Sequence, residues 1–262
     1  MRNVELAGPT DFDGFRAAAR ALAQAQVPPE LVTFRTGRET ASLFADEGAA
    51  AAPNDSTFKV PRAFFELART VSLHQNPARY ALLYRLLWRL REEPRLLTVD
   101  VDEDVAVARA WQKSVERDIH KMHAYVRFRQ VQGVEPRAFI AWFEPMHHIV
   151  AEAAPFFVRR FPNARWTILT PQASAIWDTT TLRFGPGAPR LDAPGDDAAE
   201  ELWRKYYSSI FNPARLKVQS MQAHMPKKYW RNLPESAAIP ALIRSAAART
   251  ESMLEAPASN TS

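Results

Sequence analysis

Apolar side chains in the first 120 residues recur three or four positions apart, which is the spacing of amphipathic helices. Proline and small polar residues mark where the helices begin, with Gly8 to Asp11 before the first, Pro61 opening the second, and Asn76 and Pro77 opening the third. Acidic residues 100–104 precede the fourth, where a helix N-terminus favours negative charge. The predicted elements are a strand at residues 4–6, helices over residues 12–26, 61–74, 77–93 and about 105–121, and a surface loop over residues 36–57.

From residue 124 the pattern changes to an alternation of apolar and polar positions, which is typical of β-strands. Ala124, Val126 and Phe128 form one alternating run, and a second run from Ala138 to Phe143 follows Gly133, so the two predict a β-hairpin. The elements predicted after it are a helix over about 146–161, strands at 166–170 and 175–184 turned near Asp178, and helices over 198–211, from 213 and over 240–254.

This order of elements predicts an α+β fold, with a small, mostly antiparallel central sheet flanked by N-terminal and C-terminal helices. We expect a single α+β domain over residues 1–255, in which residues 1–104 form a helical subdomain and residues 105–255 hold the sheet and the later helices. Residues 256–262 are small and polar, and we expect them to form a disordered tail.

The charge of the chain is unevenly distributed. The whole sequence has 34 lysine and arginine residues against 29 aspartate and glutamate residues, a formal net charge of +5. Residues 1–104 hold 13 basic and 15 acidic side chains, whereas residues 105–235 hold 19 basic and 12 acidic side chains. The positive potential therefore belongs to the later part of the chain, where it favours anionic partners.

Several classes of function lack support in the sequence. The absence of cysteine excludes disulfides, thiolate zinc sites, iron–sulfur clusters and cysteine nucleophiles. No GxxxxGK[ST], GxGxxG or GxSxG motif is present, so nucleotide hydrolysis, Rossmann redox chemistry and α/β-hydrolase chemistry have no motif to support them. No secretory signal or membrane-spanning run is visible, and we expect a cytoplasmic protein with no membrane partner.

Two histidine pairs flank the predicted hairpin, His120 with His123 before it and His147 with His148 after it. If the hairpin forms, the two groups converge at one end of the sheet. On the predicted helix, His148 and Glu152 are four residues apart and share a face, as a metal-ligand pair or a carboxylate that orients an imidazole would. A divalent metal, acid–base catalysis without metal and structural hydrogen bonding all fit this pattern. The candidate catalytic residues are His120, His123, Glu144, His147, His148 and Glu152.

Two further groups combine basic and aromatic side chains, as surfaces that bind nucleic acid do. One is the predicted strand face of Tyr125, Arg127 and Arg129, for which a solvated sheet face with ion pairs is the alternative. Arg159 and Arg160 end a predicted helix, where the helix dipole already favours cations. The densest group is Lys227, Lys228, Tyr229, Trp230 and Arg231, in which Trp230 fits a core position equally well.

Longer strings of the sequence resemble a bacterial family of a domain of unknown function that is labelled a DNA-metabolism protein. The resemblance covers about residues 4–245. The strings that carry it include His120-Lys-Met-His-Ala-Tyr-Val-Arg-Phe-Arg129, Trp142-Phe-Glu-Pro-Met-His-His148, Ala154-Pro-Phe-Phe-Val-Arg-Arg-Phe161 and Met225-Pro-Lys-Lys-Tyr-Trp-Arg-Asn-Leu-Pro234.

The resemblance implies a partner of DNA repair. Members of the family are encoded beside a radical-SAM protein of DNA modification or repair, or form the N-terminal part of fusions with UdgX-type uracil-DNA glycosylases. Residues 8–14 are similar to the fused form, which makes the tail after Leu254 a candidate truncated interdomain linker. The resemblance transfers no catalytic residues, and any glycosylase or radical-SAM chemistry belongs to the partner.

Three functions remain open. The first is a DNA-binding accessory domain that positions a repair enzyme on single-stranded DNA or damaged duplex. The second is an enzyme acting on DNA or a nucleotide through the histidine and glutamate residues, with no predicted cofactor apart from a divalent metal that this cluster would suit. The third is a protein-interaction module that docks through the helix at residues 77–93, provided that its Leu83 and Leu87 are exposed.

Overall fold

A computed structural model describes residues 1–37, 59–131 and 136–189. These residues fall into two compact units. The first unit comprises Met1–His120 with Pro145–Ile149, and the second comprises the described residues of Lys121–Glu144 and of the chain from Val150 onward. The predicted single domain over residues 1–255 stays a prediction, and the helices predicted after residue 198 lie outside the described residues.

The first unit begins with a βαβ arrangement. Strands β1 and β2 pair in parallel, with Val4 opposite Phe34, and α1 connects them. Asp11 caps α1, since its carboxylate accepts hydrogen bonds from the backbone N–H of Gly14 and of Ala7, both at 2.9 Å. The elements of this unit are β1 Arg2–Leu6, α1 Phe12–Gln24, β2 Val32–Thr36, α2 Arg62–Val71, α3 Arg79–Arg89 and the larger part of α4 Glu103–Tyr125.

The core of this unit forms around α3, which is buried on most of its circumference. Leu83 is fully buried and Leu87 is 6% exposed. Phe15 and Tyr80 pack with ring centroids 5.0 Å apart, and the Tyr84 hydroxyl donates a 2.7 Å hydrogen bond to the carbonyl of Val27. Because both leucines belong to the core, the hypothesis that this helix is an exposed docking surface is wrong.

A buried guanidinium ties three segments of the first unit together. Arg79 is 2% exposed and donates hydrogen bonds to the carbonyl oxygens of Pro9 at 2.6 Å, Ser72 at 2.8 Å and Asn76 at 3.1 Å. Burial lowers the pKa of Arg79, and its guanidinium lies over the ring of Tyr80. The three carbonyls supply the polar partners that a buried charge requires.

Ion pairs at the surface join α3 to the beginning of α4. Arg85 holds Asp104 with a shortest N–O distance of 2.6 Å, and Arg89 holds Asp102 at 2.7 Å. Asp102 also caps α4 by accepting hydrogen bonds from the backbone N–H of Asp104 and Val105, both at 3.1 Å. The acidic stretch therefore both neutralises arginines and starts the helix, and the side-chain hydrogen bond from Arg89 contributes most to lowering the pKa of Asp102.

The second unit is a five-stranded sheet with one helix on one face. Strand order is β3-β4-β5-β6-β7, in which β4 and β5 are parallel and joined through α5, while the other neighbours are antiparallel. Phe157 of α5 meets Trp166 of the sheet edge to face, with centroids 6.1 Å apart. The elements are β3 Arg129–Gln130, β4 Ala138–Trp142, α5 Val150–Arg160, β5 Arg165–Leu169, β6 Ala173–Trp177 and β7 Leu182–Pro186.

The predicted α+β class is confirmed, and so are the existence and approximate positions of most of the helices and strands predicted within the described residues. Strand β2 was missed, although Val32 and Phe34 carry an alternating signal. Asn76 makes a side-chain turn, accepting from the N–H of Ala78 at 2.8 Å, so α3 begins at Arg79 and not at Pro77. No helix among the described residues is long and apolar enough to cross a membrane.

The alternating strand predicted at residues 124–128 is wrong. Helix α4 continues to Tyr125, the N–H of Val126 still donates to the carbonyl of Met122 at 3.1 Å, and only Arg129 and Gln130 pair with β4. Val115 and Met122, both fully buried, show why the helical period persists. The predicted pairing with β4 is antiparallel as expected, but β3 is two residues long.

Arg79→Met tests the role of the buried guanidinium. The variant removes the guanidinium that donates to the carbonyls of Pro9, Ser72 and Asn76, and we expect the free energy of unfolding to fall by about 3 kcal/mol. Arg62→Met is the matched control, since Arg62 is exposed and its ion pair with Glu66 contributes less than about 1 kcal/mol. Urea unfolding measures the free energy of unfolding of both variants. Equal losses of stability in the two would contradict this role for Arg79.

Candidate functional site

The predicted histidine and glutamate residues are divided between the two units. His147 and His148 lie in the first unit, ahead of α5, which begins at Val150 and not near Met146. The four-residue spacing of His148 and Glu152 therefore does not put them on one helix face, contrary to the prediction. His120 is exposed on α4, and His123 lies one turn further along the same helix, in the second unit.

His147 is fully buried in a hydrogen-bonded network of the first unit. Its Nδ1 accepts the backbone N–H of Gln75 at 3.2 Å, and its Nε2 lies 2.9 Å from the hydroxyl of Ser114. The carboxylate of Asp118 accepts the backbone N–H groups of Met146 and His147 at 2.7 and 2.9 Å. These bonds fix residues 145–149 as a tethered segment, which explains the late start of α5.

The network also fixes the tautomer of His147. Because Nδ1 accepts a hydrogen bond from a backbone N–H, the proton of the neutral ring lies on Nε2, and Nε2–H donates to the Ser114 hydroxyl. A base that activates a serine nucleophile needs the opposite arrangement, with the imidazole nitrogen accepting from the hydroxyl. The geometry gives His147 and Ser114 a structural role.

His74, isolated in the sequence, completes this cluster. Its ring stacks on Trp111 with centroids 4.6 Å apart and lies 4.4 Å from the ring of His147. Burial contributes most to lowering the pKa of His74 to about 4, and electrostatic interactions with His147, Arg79 and His148 lower it further. Its Nδ1 accepts the N–H of Asn76 at 3.2 Å, so the ring is held neutral at physiological pH.

In the second unit, the candidate residues make structural contacts. His123 stacks on Phe156 with centroids 4.1 Å apart, and its Nε2 lies 3.2 Å from the carbonyl of Ala153. Glu144 is half-buried and accepts from the indole N–H of Trp142 at 3.3 Å, while Glu152 is exposed in the first turn of α5. Among the described residues, no group of three or more His, Asp or Glu side chains is arranged to hold a metal ion.

The predicted row of Tyr125, Arg127 and Arg129 does not form as one strand face. Tyr125 ends a helix, where burial raises its pKa, and only Arg129 lies in a strand. Arg127 donates a 2.7 Å hydrogen bond to the carbonyl of Ala124 and so caps α4. All three side chains are half-buried. The cluster of Lys227, Lys228, Tyr229, Trp230 and Arg231 lies outside the described residues.

Four arginines instead lie at one edge of the sheet of the second unit. Arg159 and Arg160 end α5, four residues connect α5 to β5, and Arg165 is the first residue of β5. Ala138 of β4 is the register partner of Arg165, which brings Arg137 to the same edge. All four are exposed, and within the described part of the chain none of their guanidinium groups donates a hydrogen bond or forms an ion pair. We call Arg137, Arg159, Arg160 and Arg165 the arginine edge.

An exposed aromatic side chain accompanies the arginine edge. Phe161 is 39% exposed, follows α5 directly and lies 5.6 Å below the guanidinium of Arg160. Asp178 is the one described carboxylate at this edge, and it binds Arg183 at 2.6 Å. Hydrogen bonds from Thr180 and Thr181 contribute most to lowering the pKa of Asp178, to about 2. The carboxylate of Asp178 is therefore already paired with Arg183 and hydrogen-bonded to Thr180 and Thr181.

Sequence reasoning missed most of the arginine edge. The sequence explains Arg159 and Arg160 by the helix dipole, which favours cations at a helix C-terminus, and both residues do lie in the last turn of α5. Arg137 and Arg165 stand alone in the sequence and carry no local signal. Only the parallel register of β4 and β5 brings them together, and the alternation of apolar residues in those strands does not by itself fix that register.

The pKa of His74 predicts a pH dependence of stability. As pH falls below 6.5 the unfolded chain binds a proton at His74 while the folded chain does not, so stability falls until about pH 4. Removing the imidazole of His74 should reduce this fall in the free energy of unfolding by about 3 kcal/mol. Urea unfolding of His74→Phe, which keeps the stacking on Trp111, measures the change between pH 4 and 7. His120→Gln is the exposed control, and a slope unchanged in His74→Phe would contradict the assignment.

Comparison with known proteins identifies one family. The family model of the domain of unknown function DUF4130 matches residues 77–235, which is more than half of the chain and includes the arginine edge and His147. Searches of curated proteins and of solved structures found no match. The chain therefore belongs to the DUF4130 family of domains of unknown function.

Proposed function

We propose that this protein is a DNA-binding accessory domain of DNA repair or DNA metabolism, and that the arginine edge contacts the phosphate backbone. The observation that carries the proposal is the set of four exposed guanidiniums that have no hydrogen bond or ion pair within the described part of the chain. Guanidinium groups match phosphate geometry, and neutralising phosphates provides most of the affinity of non-specific DNA binding.

The distribution of charge within the second unit supports binding of DNA through the arginine edge. The described residues of the second unit include eight basic and three acidic side chains. The described residues of the first unit include fifteen basic and thirteen acidic side chains. Glu152 lies in the first turn of α5, and Arg159 and Arg160 lie in its last turn. Glu144 follows the C-terminal end of β4, and Arg137 precedes its N-terminal end. The acidic and basic ends of the unit are therefore opposite one another.

Phe161 favours single-stranded over fully paired DNA. Exposed aromatic rings beside arginines stack on unpaired bases, whereas the bases of a duplex are already stacked on each other. The resemblance to domains fused to UdgX-type uracil-DNA glycosylases, or encoded beside radical-SAM proteins, makes such an enzyme the proposed partner. Chemistry on the DNA would then belong to the partner, and this chain would supply binding.

The enzyme hypothesis gains no specific support from the geometry of the histidines. His147 is buried and donates to Ser114, and His123 packs on α5. Neither arrangement presents a base to a substrate. DNA binding through the arginine edge is accordingly the function that we put forward.

Arg159→Gln/Arg160→Gln tests the proposal directly. Fluorescence anisotropy of the full chain with labelled single-stranded, duplex and uracil-containing DNA, at several salt concentrations, measures affinity and its salt dependence. Since two phosphate contacts are removed, we expect affinity to fall about tenfold at 0.1 M salt and the slope of log K against log salt to fall by about two units.

Arg35→Gln/Arg95→Gln is the matched control, because it removes two exposed arginines of the first unit and lowers the net charge equally. It should bind DNA as the wild type does. The same experiment on Lys227→Gln/Lys228→Gln tests the cluster predicted from sequence. Salt-insensitive binding, or equal losses in the arginine-edge and control variants, would overturn the proposal.

A further inference from the structure

The first unit contains a cavity between α1 and α2 that no hydrogen-bond network or function described above uses. Its volume is about 530 Å³, within the range of roughly 300–1,000 Å³ typical of small-molecule sites. Phe15, Ala19, Phe64, Ala68 and Leu87 line its floor with apolar side chains. We call it the α1–α2 cavity.

The rim of the α1–α2 cavity is basic. Arg16, Arg20 and Arg91 line it, and none of the described residues that line it is acidic. Arg16 is held in place, since its guanidinium lies 4.9 Å from the ring centroid of Phe65. Arg91 is held as well, because it donates to the side-chain carbonyl of Gln26 at 2.7 Å and lies over the ring of Trp88.

Arg20 differs from the other two arginines of the rim. It is exposed, and within the described part of the chain its guanidinium makes no hydrogen bond or ion pair. It follows Arg16 by one helical turn, so both lie along the same side of α1. The ion pair of Arg16 with Asp13 is solvent-exposed, with 90% of the Asp13 side chain accessible, and such a pair exchanges readily for another anion.

We propose that the α1–α2 cavity binds an amphiphilic anion, whose apolar body lies on the floor and whose carboxylate, sulfonate or phosphate lies at Arg16, Arg20 and Arg91. An apolar floor excludes a fully hydrated ion, and a rim of guanidiniums without a carboxylate disfavours a cation. A ligand that combines both parts satisfies the apolar surface and the charge together. The shared chemistry covers aromatic acids and alkyl acids.

The probe for the test is 8-anilinonaphthalene-1-sulfonate, whose fluorescence rises and shifts to the blue when it enters an apolar site. We expect saturable binding to the folded full chain. Displacement by 1-naphthoate or by dodecanoate distinguishes an aromatic from an alkyl acid, with naphthalene and dodecanol as uncharged counterparts. Equal displacement by the charged and uncharged members of each pair would overturn the proposed role of the arginines.

Three variants locate the binding. Arg20→Gln should raise the dissociation constant of the probe about fivefold, which corresponds to about 1 kcal/mol. Arg35→Gln, which removes an exposed arginine away from the cavity, should leave it unchanged. Ala23→Trp places a large side chain in the half-buried wall of the cavity and should abolish binding.

Circular dichroism confirms that each variant keeps its helices before binding is compared. Arg159→Gln/Arg160→Gln should bind the probe normally, so the result is independent of DNA binding. The proposal is overturned if the wild type does not bind the probe, if Arg20→Gln and Arg35→Gln behave alike, or if Ala23→Trp retains binding.

Discussion

The positive charge of an arginine persists at every pH that the protein meets, so the fold must either surround that charge with acceptors or leave it in water. Arg79 shows the first solution. Its guanidinium is buried, and three backbone carbonyls from Pro9, Ser72 and Asn76 accept its hydrogen bonds. These carbonyls belong to the entry of α1, the end of α2 and the turn before α3, so the packing of the first unit depends on this one side chain.

The two units use the remaining arginines differently. In the first unit, acidic residues neutralise many of them, as Asp102 and Asp104 do for Arg89 and Arg85. At the arginine edge of the second unit, the side chains are exposed and lack such partners within the described part of the chain. Exposed and uncompensated guanidiniums cost the fold little, but they raise the local potential and attract anions. We therefore assign a stabilising role to the arginines that pair with Asp102 and Asp104. For the exposed arginines of the arginine edge we propose ligand binding.

Local sequence patterns predicted most of the described elements, because the apolar period of a helix or strand reflects the face that it buries. They failed where a tertiary contact overrides the local preference. The segment before α5 resembles a helical turn, yet the carboxylate of Asp118 holds its N–H groups from 28 and 29 residues away. His74 and His147 are likewise far apart in the sequence, and no spacing rule could have paired them. The arginine edge required the register of β4 and β5, which only the fold supplies.

The central claim is that the arginine edge binds the phosphate backbone of DNA, and crosslinking tests it most directly. A single-stranded oligonucleotide containing bromodeoxyuridine is irradiated in complex with the full chain, and mass spectrometry identifies the peptide that carries the crosslink. We expect a crosslink within residues 159–166, where the exposed ring of Phe161 lies between Arg160 and Arg165 in the sequence. Crosslinks found only elsewhere in the chain, or none at a concentration that saturates binding, would contradict it.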